Sequence, residues 1–432
     1  MATMEIEIVE SQPEKDDAFA NFDEKACDSS FVEHGPYWQM VYYAIVGFLF
    51  WAVLMVQIPF IDKYYGGPSV IFYLTFSYGL SSNVIRIVLI WLGNKAKGSM
   101  GSQMKGLVYT GSILTGLTMF GYPISMIVLG EDHPVVGFWI CVILSIMMGF
   151  FNSLIMNVGF GLMSMAPEKS AGFFLLGQTM TGVVTWPLII LLRLIVSSLG
   201  GEENTDFIVA IFTLTFAGVV TLGLIPLYTY KTQFHPAFVQ ILQTTAPKSE
   251  TGTMLKVFKQ ILVPAMCGWL SSVITFSVFP NQIGLWFPNP NAAYSTPVYR
   301  SFLLYLFSIA DTIGRLIPRI LPLVRKISKK PFVSGTVIRG LLVVPTFLLS
   351  TNKLPNFFGS DPFRLILILL FGISNGLNFS LANLLAPKLV ATADKMHAGT
   401  VLSFVAVNGL FVGSMIGIGF SHCVTEYSTP PE

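Results

Sequence analysis

Asp311 and Arg315 stand four residues apart in the stretch FSIADTIGRLIPRI, residues 307–320, among Phe302, Leu303, Leu304, Leu306, Ile309, Ile313, Leu316 and Ile317. A spacing of i, i+4 puts both side chains on one helix face, and the acid comes first, which is the favourable order for pairing. A charge at the middle of a membrane span costs on the order of 2.5–3.5 kcal/mol on insertion scales, so two in one apolar run need an offset. Pairing supplies part of it and leaves capacity over. A guanidinium has five N–H donors, and a carboxylate has about four acceptor sites. The adjacent hydroxyls of a ribose each donate and accept, which suits what remains. The alternative is a structural ion pair that fastens this run to its neighbours.

Away from the ends of the apolar runs, the other basic residues are Arg86, Arg193 and Arg339, and none has an acidic partner in its own run. They read as structural. Polar side chains recur at Asn152, Ser153 and Asn157, at Gln178, Thr179 and Thr181, and at Ser374, Asn375 and Asn378. Buried amides commonly hydrogen-bond between helices, and they can also read the edge of a nucleobase. Asn152 and Asn157 are the better candidates for base reading, because Gly159 and Gly161 follow and allow close approach to a cavity. Trp51 sits mid-run, whereas membrane tryptophans favour interfaces. Stacking on a flat ring and plain packing both remain open for it.

The elements that must hold these residues are apolar helices. Of 432 residues, 53% are hydrophobic and only 11% charged, against about 25% charged in soluble chains; the mean hydropathy is +0.68. Apolar runs near or above the roughly 20 residues a spanning helix needs cover 37–61, 69–93, 106–130, 134–164, 170–198, 206–230, 259–283, 298–324, 331–350, 362–390 and 397–421. They are continuous, not alternating as barrel strands would be. The fold class is therefore an all-α polytopic membrane protein with eleven transmembrane helices. The polar segment 231–258 divides it into six helices (37–230) and five (259–421). Transporters often place a solute path between two bundles. No internal repeat supports that division.

Residues 1–36 carry ten Asp or Glu and two Lys, which reads as a disordered cytoplasmic tail; no cleavable signal peptide is expected. With that end inside, the inner loops hold Lys95, Lys97, Lys105, Lys169, Lys231, Lys248, Lys256, Lys259, Arg319, Arg325, Lys326, Lys329, Lys330, Lys388 and Lys395. The outer side holds Lys63, Arg300, Lys353 and Arg364. This bias obeys the positive-inside rule and puts the short tail 422–432 outside, with the plasma membrane the expected site. The one N-x-S/T match, at Asn378, lies within a span, so no N-glycan is expected.

Several classes are disfavoured. No phosphate-binding G-x-x-x-x-G-K-[ST] motif supports an ATP-driven pump. Cys27, Cys141, Cys267 and Cys423 show neither a disulfide framework nor zinc spacing. The five histidines lie in tails, loops or span ends, and one acid within spans is too few for an intramembrane hydrolase. Seven-helix receptors do not fit eleven spans. The loop GNKAKGSMGSQMKG after the second span lacks the Arg expected of a sugar porter. No cofactor, metal, nucleic-acid partner or enzymatic activity is expected, and the chain is expected to be monomeric. Proton coupling would need Asp311 as carrier, and an adjacent guanidinium favours the charged carboxylate.

These residues also carry a family resemblance. FSIADTIGR resembles the eighth-span signature of equilibrative nucleoside transporters. In the family's order, GQTMTG (177–182) resembles its fifth span, ITFSVFP (274–280) the end of its seventh, and IRGLLVVP (338–345) its ninth. FGISNGLNFSLANLLAPKLV (371–390) resembles the tenth and HAGTVLSFVAVNGLFVGS (397–414) the eleventh. The first span departs: Phe50-Trp51-Ala52 stands where the family usually has Pro-Trp-Asn, so any solute contact from that amide is lost or replaced. The short cytoplasmic loop and missing glycan site resemble a protist member. The resemblance implies a major-facilitator-like bundle of six plus five helices, alternating access, and a nucleoside or nucleobase as cargo. It implies that Asp311 and Arg315, with Ser308 beside them, bind the ribose. Trp51 and one of the span-four residues Asn152, Met156 and Asn157 would line the nucleobase side.

Overall fold

The computed structural model describes residues 37–65, 69–93, 100–129, 132–166, 168–199, 205–228, 253–280, 282–288, 296–351, 359–391 and 394–425. The expectations for residues 1–36, for 231–252 of the linker and for 426–432 lie outside these. All regular structure among the described residues is helical: α1 (Tyr37–Tyr65), α2 (Ser69–Gly93), α3 (Met100–Leu129), α4 (Pro134–Met165), α5 (Glu168–Ser198), α6 (Thr205–Tyr228), α7 (Leu262–Val278), α8 (Thr296–Ile320), α9 (Lys329–Ser350), α10 (Asp361–Leu385) and α11 (Lys395–Thr425). Each coincides with one apolar run. Nine are long and apolar enough to cross a membrane among the described residues, or ten if α7 is counted with the short helix before it, while α1 contributes a shorter apolar stretch, Gly47–Gln57.

Local chemistry explains the departures from straight helices. Thr253–Gln260 forms a short helix that turns 82° into α7. Its Val257 is buried while Leu255, Lys256, Lys259 and Gln260 are exposed, so it presents one face to the bundle and one outward. Within α9, residues Gly340–Leu342 tighten to a 3-10 turn. Pro345 follows, and a proline cannot donate to the carbonyl four residues back and crowds it. Pro134 and Pro362 occupy first-turn positions of α4 and α10, where a missing N–H costs nothing.

Packing falls into two halves. In the first, α1 packs on α5 and α6, α2 on α4, and α3 on α4 and α6; in the second, α8 packs on α10 and α7 on α10 and α11. Contacts between halves run from α11 to α2 and α4, and from α8 to α5. Large apolar side chains such as Ile87, Trp91, Leu117, Ile127, Leu191 and Leu194 point outward and exposed, where a bilayer would supply equally apolar surroundings.

The α8–α10 seam is the tightest contact near the charged pair. A Cβ added at Gly376 would lie 2.0 Å from the Asp311 carbonyl oxygen, and one at Gly372 would lie 2.5 Å from the Ala310 Cβ. Small residues four apart let membrane helices approach this closely. Because backbone stands in the way, relief requires moving a helix. Gly376→Ala is expected to lower the folded yield and the melting temperature, an overpacking cost of about 1–3 kcal/mol. Detergent-solubilised yield and thermal melting check this.

Candidate functional site

A cavity of about 210 Å³ lies among α1, α2, α4, α5, α7, α8, α10 and α11, so both halves contribute to its wall. Among the sequence-predicted site residues, Trp51, Met156, Ser308, Asp311 and Arg315 line it. Asp311 is 4% exposed, yet it is not sealed from the cavity.

The pair sits in a ladder of polar contacts. Arg315 Nε donates to Asp311 Oδ2 at 3.1 Å. Its Nη1 crosses to α5 and donates to the Leu175 carbonyl at 3.0 Å and to Gln178 Oε1 at 2.6 Å. The guanidinium also lies 4.7 Å from the centroid of the Phe379 ring. Asn375 Nδ2 donates to the other Asp311 oxygen at 2.7 Å. Asn375 Oδ1 accepts from Thr275 Oγ1 at 2.6 Å, and Thr275 Oγ1 accepts from Arg339 Nη2 at 2.7 Å. The i, i+4 pairing read from sequence is therefore present, and α5, α7 and α10 hold it in place.

The ladder leaves spare valence. Each Asp311 oxygen has one partner, fewer than a carboxylate accommodates. Among the described residues, Arg315 Nη2 has no hydrogen-bond partner. Gln178 lines the cavity, and its Nε2 is buried without a hydrogen-bond partner. An unsatisfied buried donor costs roughly 1–3 kcal/mol, a cost that a bound acceptor would remove.

Aromatic rings form much of the remaining wall. Trp51 and Tyr78 lie 4.7 Å apart at 34°, Trp186 stacks on Tyr305 at 4.5 Å and 9°, and Phe279 stacks on Phe307 at 4.0 Å and 19°. All six line the cavity.

Two predicted residues do not reach it. Asn152 is buried and donates from Nδ2 to the Tyr78 hydroxyl at 3.0 Å, so it meets the cavity only through Tyr78. Asn157 is absent from the lining, and its Oδ1 is buried without a partner. It follows Met156 by one residue, about 100° around the helix, and Met156 holds the cavity side. Sequence reasoning singled out Gln178 and Asn375 as polar but did not place them in the site. The resemblances of GQTMTG and SNG were the available signals. Arg339, read as structural, sits behind the ladder on Ser374, Ser271 and Thr275. Arg193 pairs with Asp206 of α6 at 3.0 Å, where both are partly exposed.

Among the described residues the chain is all helical, with long apolar helices in two halves around a mainly aromatic and apolar cavity that carries a few polar groups, and its fold is like that of the major facilitator proteins. The fold is similar to the proton:xylose symporter XylE bound to 6-bromo-6-deoxy-D-glucose, with TM-score 0.55 and 11% identity, over 90% of this chain and 95% of that one. It is also similar to a point mutant of the nucleoside transporter NupG, with TM-score 0.54 and 13% identity, over 91% and 98%. Residues 235–422 match the family described as Nucleoside transporter. Equilibrative nucleoside transporter 2 of Homo sapiens is 27% identical over 183 residues, 39% of this chain and 38% of that protein. The Rattus norvegicus protein is 29% identical over 190 residues, 38% of this chain and 37% of its own length. These matches span well under half of the relatives' length. Over part of its length the chain is therefore similar to nucleoside transporters, among them equilibrative nucleoside transporter 2 of two mammals.

Proposed function

We propose that this protein carries nucleosides, and more weakly nucleobases, across a membrane by facilitated diffusion. The observation that carries the proposal is the Asp311–Arg315 pair on a cavity wall with unused donors and acceptors. The ribose hydroxyls take Asp311 and Arg315 Nη2, Ser308 stands beside them, and the base lies against Trp51 and Met156. The six helices within 37–230 and the five within 259–421 rock around the bound solute, joined by the linker 231–258. The amino end is cytoplasmic, the carboxyl end extracellular, and the protein acts as a monomer in the plasma membrane. Arg315 contacts both Asp311 of its own helix and Gln178 of the other half, so occupancy of the sugar site bears on how the halves meet.

Uptake of labelled inosine in a transport-null host tests this. Unlabelled inosine and uridine are expected to compete at least tenfold better than hypoxanthine and adenine, since free bases lack the hydroxyls. A protonophore and changes of outside pH are expected to leave initial rates unchanged. Bases competing as well as nucleosides would remove the sugar grip from the account. A rate that collapses with the protonophore would replace facilitated diffusion with proton coupling.

A further inference from the structure

Arg86 of α2 also lines the cavity and is 2% exposed. Asp311 and Arg315 compensate each other, which leaves Arg86 as the unbalanced charge among the lining residues. Its Nη1 donates to the Ser403 carbonyl at 2.6 Å and to the Ser403 hydroxyl, and its Nε to Ser153 Oγ at 3.4 Å. These acceptors are neutral. Among the described residues no carboxylate faces Arg86, and Nη2 has no hydrogen-bond partner. A buried cation without a counter-ion is costly, so a free donor on a cavity wall points to something that arrives with the cargo.

The chemistry of that partner follows from the guanidinium, which donates and never accepts. A 6-oxopurine presents two acceptors on one edge, O6 and N7. A 6-aminopurine puts an N–H₂ donor where O6 would be. The flat surface for such a ring is at hand in Trp51 and Tyr78, which line the same cavity. We propose that Arg86 makes the cavity selective for 6-oxopurine nucleosides, the inosine and guanosine class, over adenosine. This rests on the nucleoside reading above and adds the substrate class.

The test is competition for labelled inosine uptake by inosine, by purine riboside, which lacks a 6-substituent, and by adenosine. The expected order is inosine, purine riboside, adenosine, with about tenfold between the first and last, within the range of a good arginine–base contact. Arg86→Gln supplies an amide that suits the adenine edge and is expected to bring adenosine level with inosine, changing purine riboside least. Adenosine matching inosine in the wild type overturns the proposal and leaves nucleoside transport standing. Equal loss for all three in a normally expressed Arg86→Gln assigns Arg86 to the α2–α11 contact and also overturns it. Absence of any nucleoside uptake by the wild type removes the transport reading and this one together. The wild-type order is a sufficient test if the variant fails to reach the membrane.

Discussion

Asp311→Ala is expected to abolish nucleoside uptake, with initial rates falling by roughly a hundredfold or more. Removing one partner of a buried pair costs about 3–5 kcal/mol, because the other charge stays behind uncompensated. Here the damage extends along the ladder. Arg315 Nε loses its acceptor, Asn375 Nδ2 loses its own, and Asn375 in turn positions Thr275 against Arg339. Folding is expected to suffer too, so surface expression must be measured with uptake. Asp311→Asn is the cleaner probe, since it keeps shape and one carbonyl oxygen but turns one acceptor into a donor. It is expected to express and to transport poorly. Normal uptake by a normally expressed Asp311→Asn would show that the carboxylate does not touch solute.

Arg315→Lys is expected to be the second most damaging conservative change, lowering uptake by tens of fold with charge preserved. A guanidinium is a planar fork, whereas an ammonium is a point charge on a flexible stem. Arg315 reaches Asp311 from one edge and the Leu175 carbonyl and Gln178 from another, and keeps Nη2 over. A lysine nitrogen satisfies Asp311 and leaves the contacts to α5 or the solute unmade. Most of the loss is expected in apparent affinity for nucleosides and less for free bases, because the missing donor is the one proposed for the sugar. Dose–response uptake curves for inosine and hypoxanthine separate these. Equal effects on both would place Arg315 in helix packing alone.

The helices were readable because their signal is local. A run such as 397–421 is apolar over its whole length, and no arrangement of neighbours is needed to see that α11 forms there. The pair Asp311–Arg315 was readable for the same reason: i, i+4 geometry brings the two together within one helix. Its partners were not. Gln178 and Asn375 meet the pair from α5 and α10, and sequence spacing does not register contacts between helices. Asn152 and Asn157 drew attention as amides beside glycines, but rotation about α4 set Met156 toward the cavity. Arg86 was hardest to read: Thr75, Tyr78, Ser82 and Arg86 recur at helical spacing on the buried side of α2, but such a stripe marks an inward face without saying that it borders a cavity. Its neighbours Ser153 and Ser403 lie 67 and 317 residues away in the chain.

The most direct test is a structure of the protein with inosine bound. The ribose 2′- and 3′-hydroxyls are predicted to sit within about 3 Å, a hydrogen-bond distance, of an Asp311 carboxylate oxygen and of Arg315 Nη2. A bound nucleoside whose sugar lies elsewhere, with the Arg315–Asp311–Asn375 contacts unchanged and nothing added to them, would contradict the account.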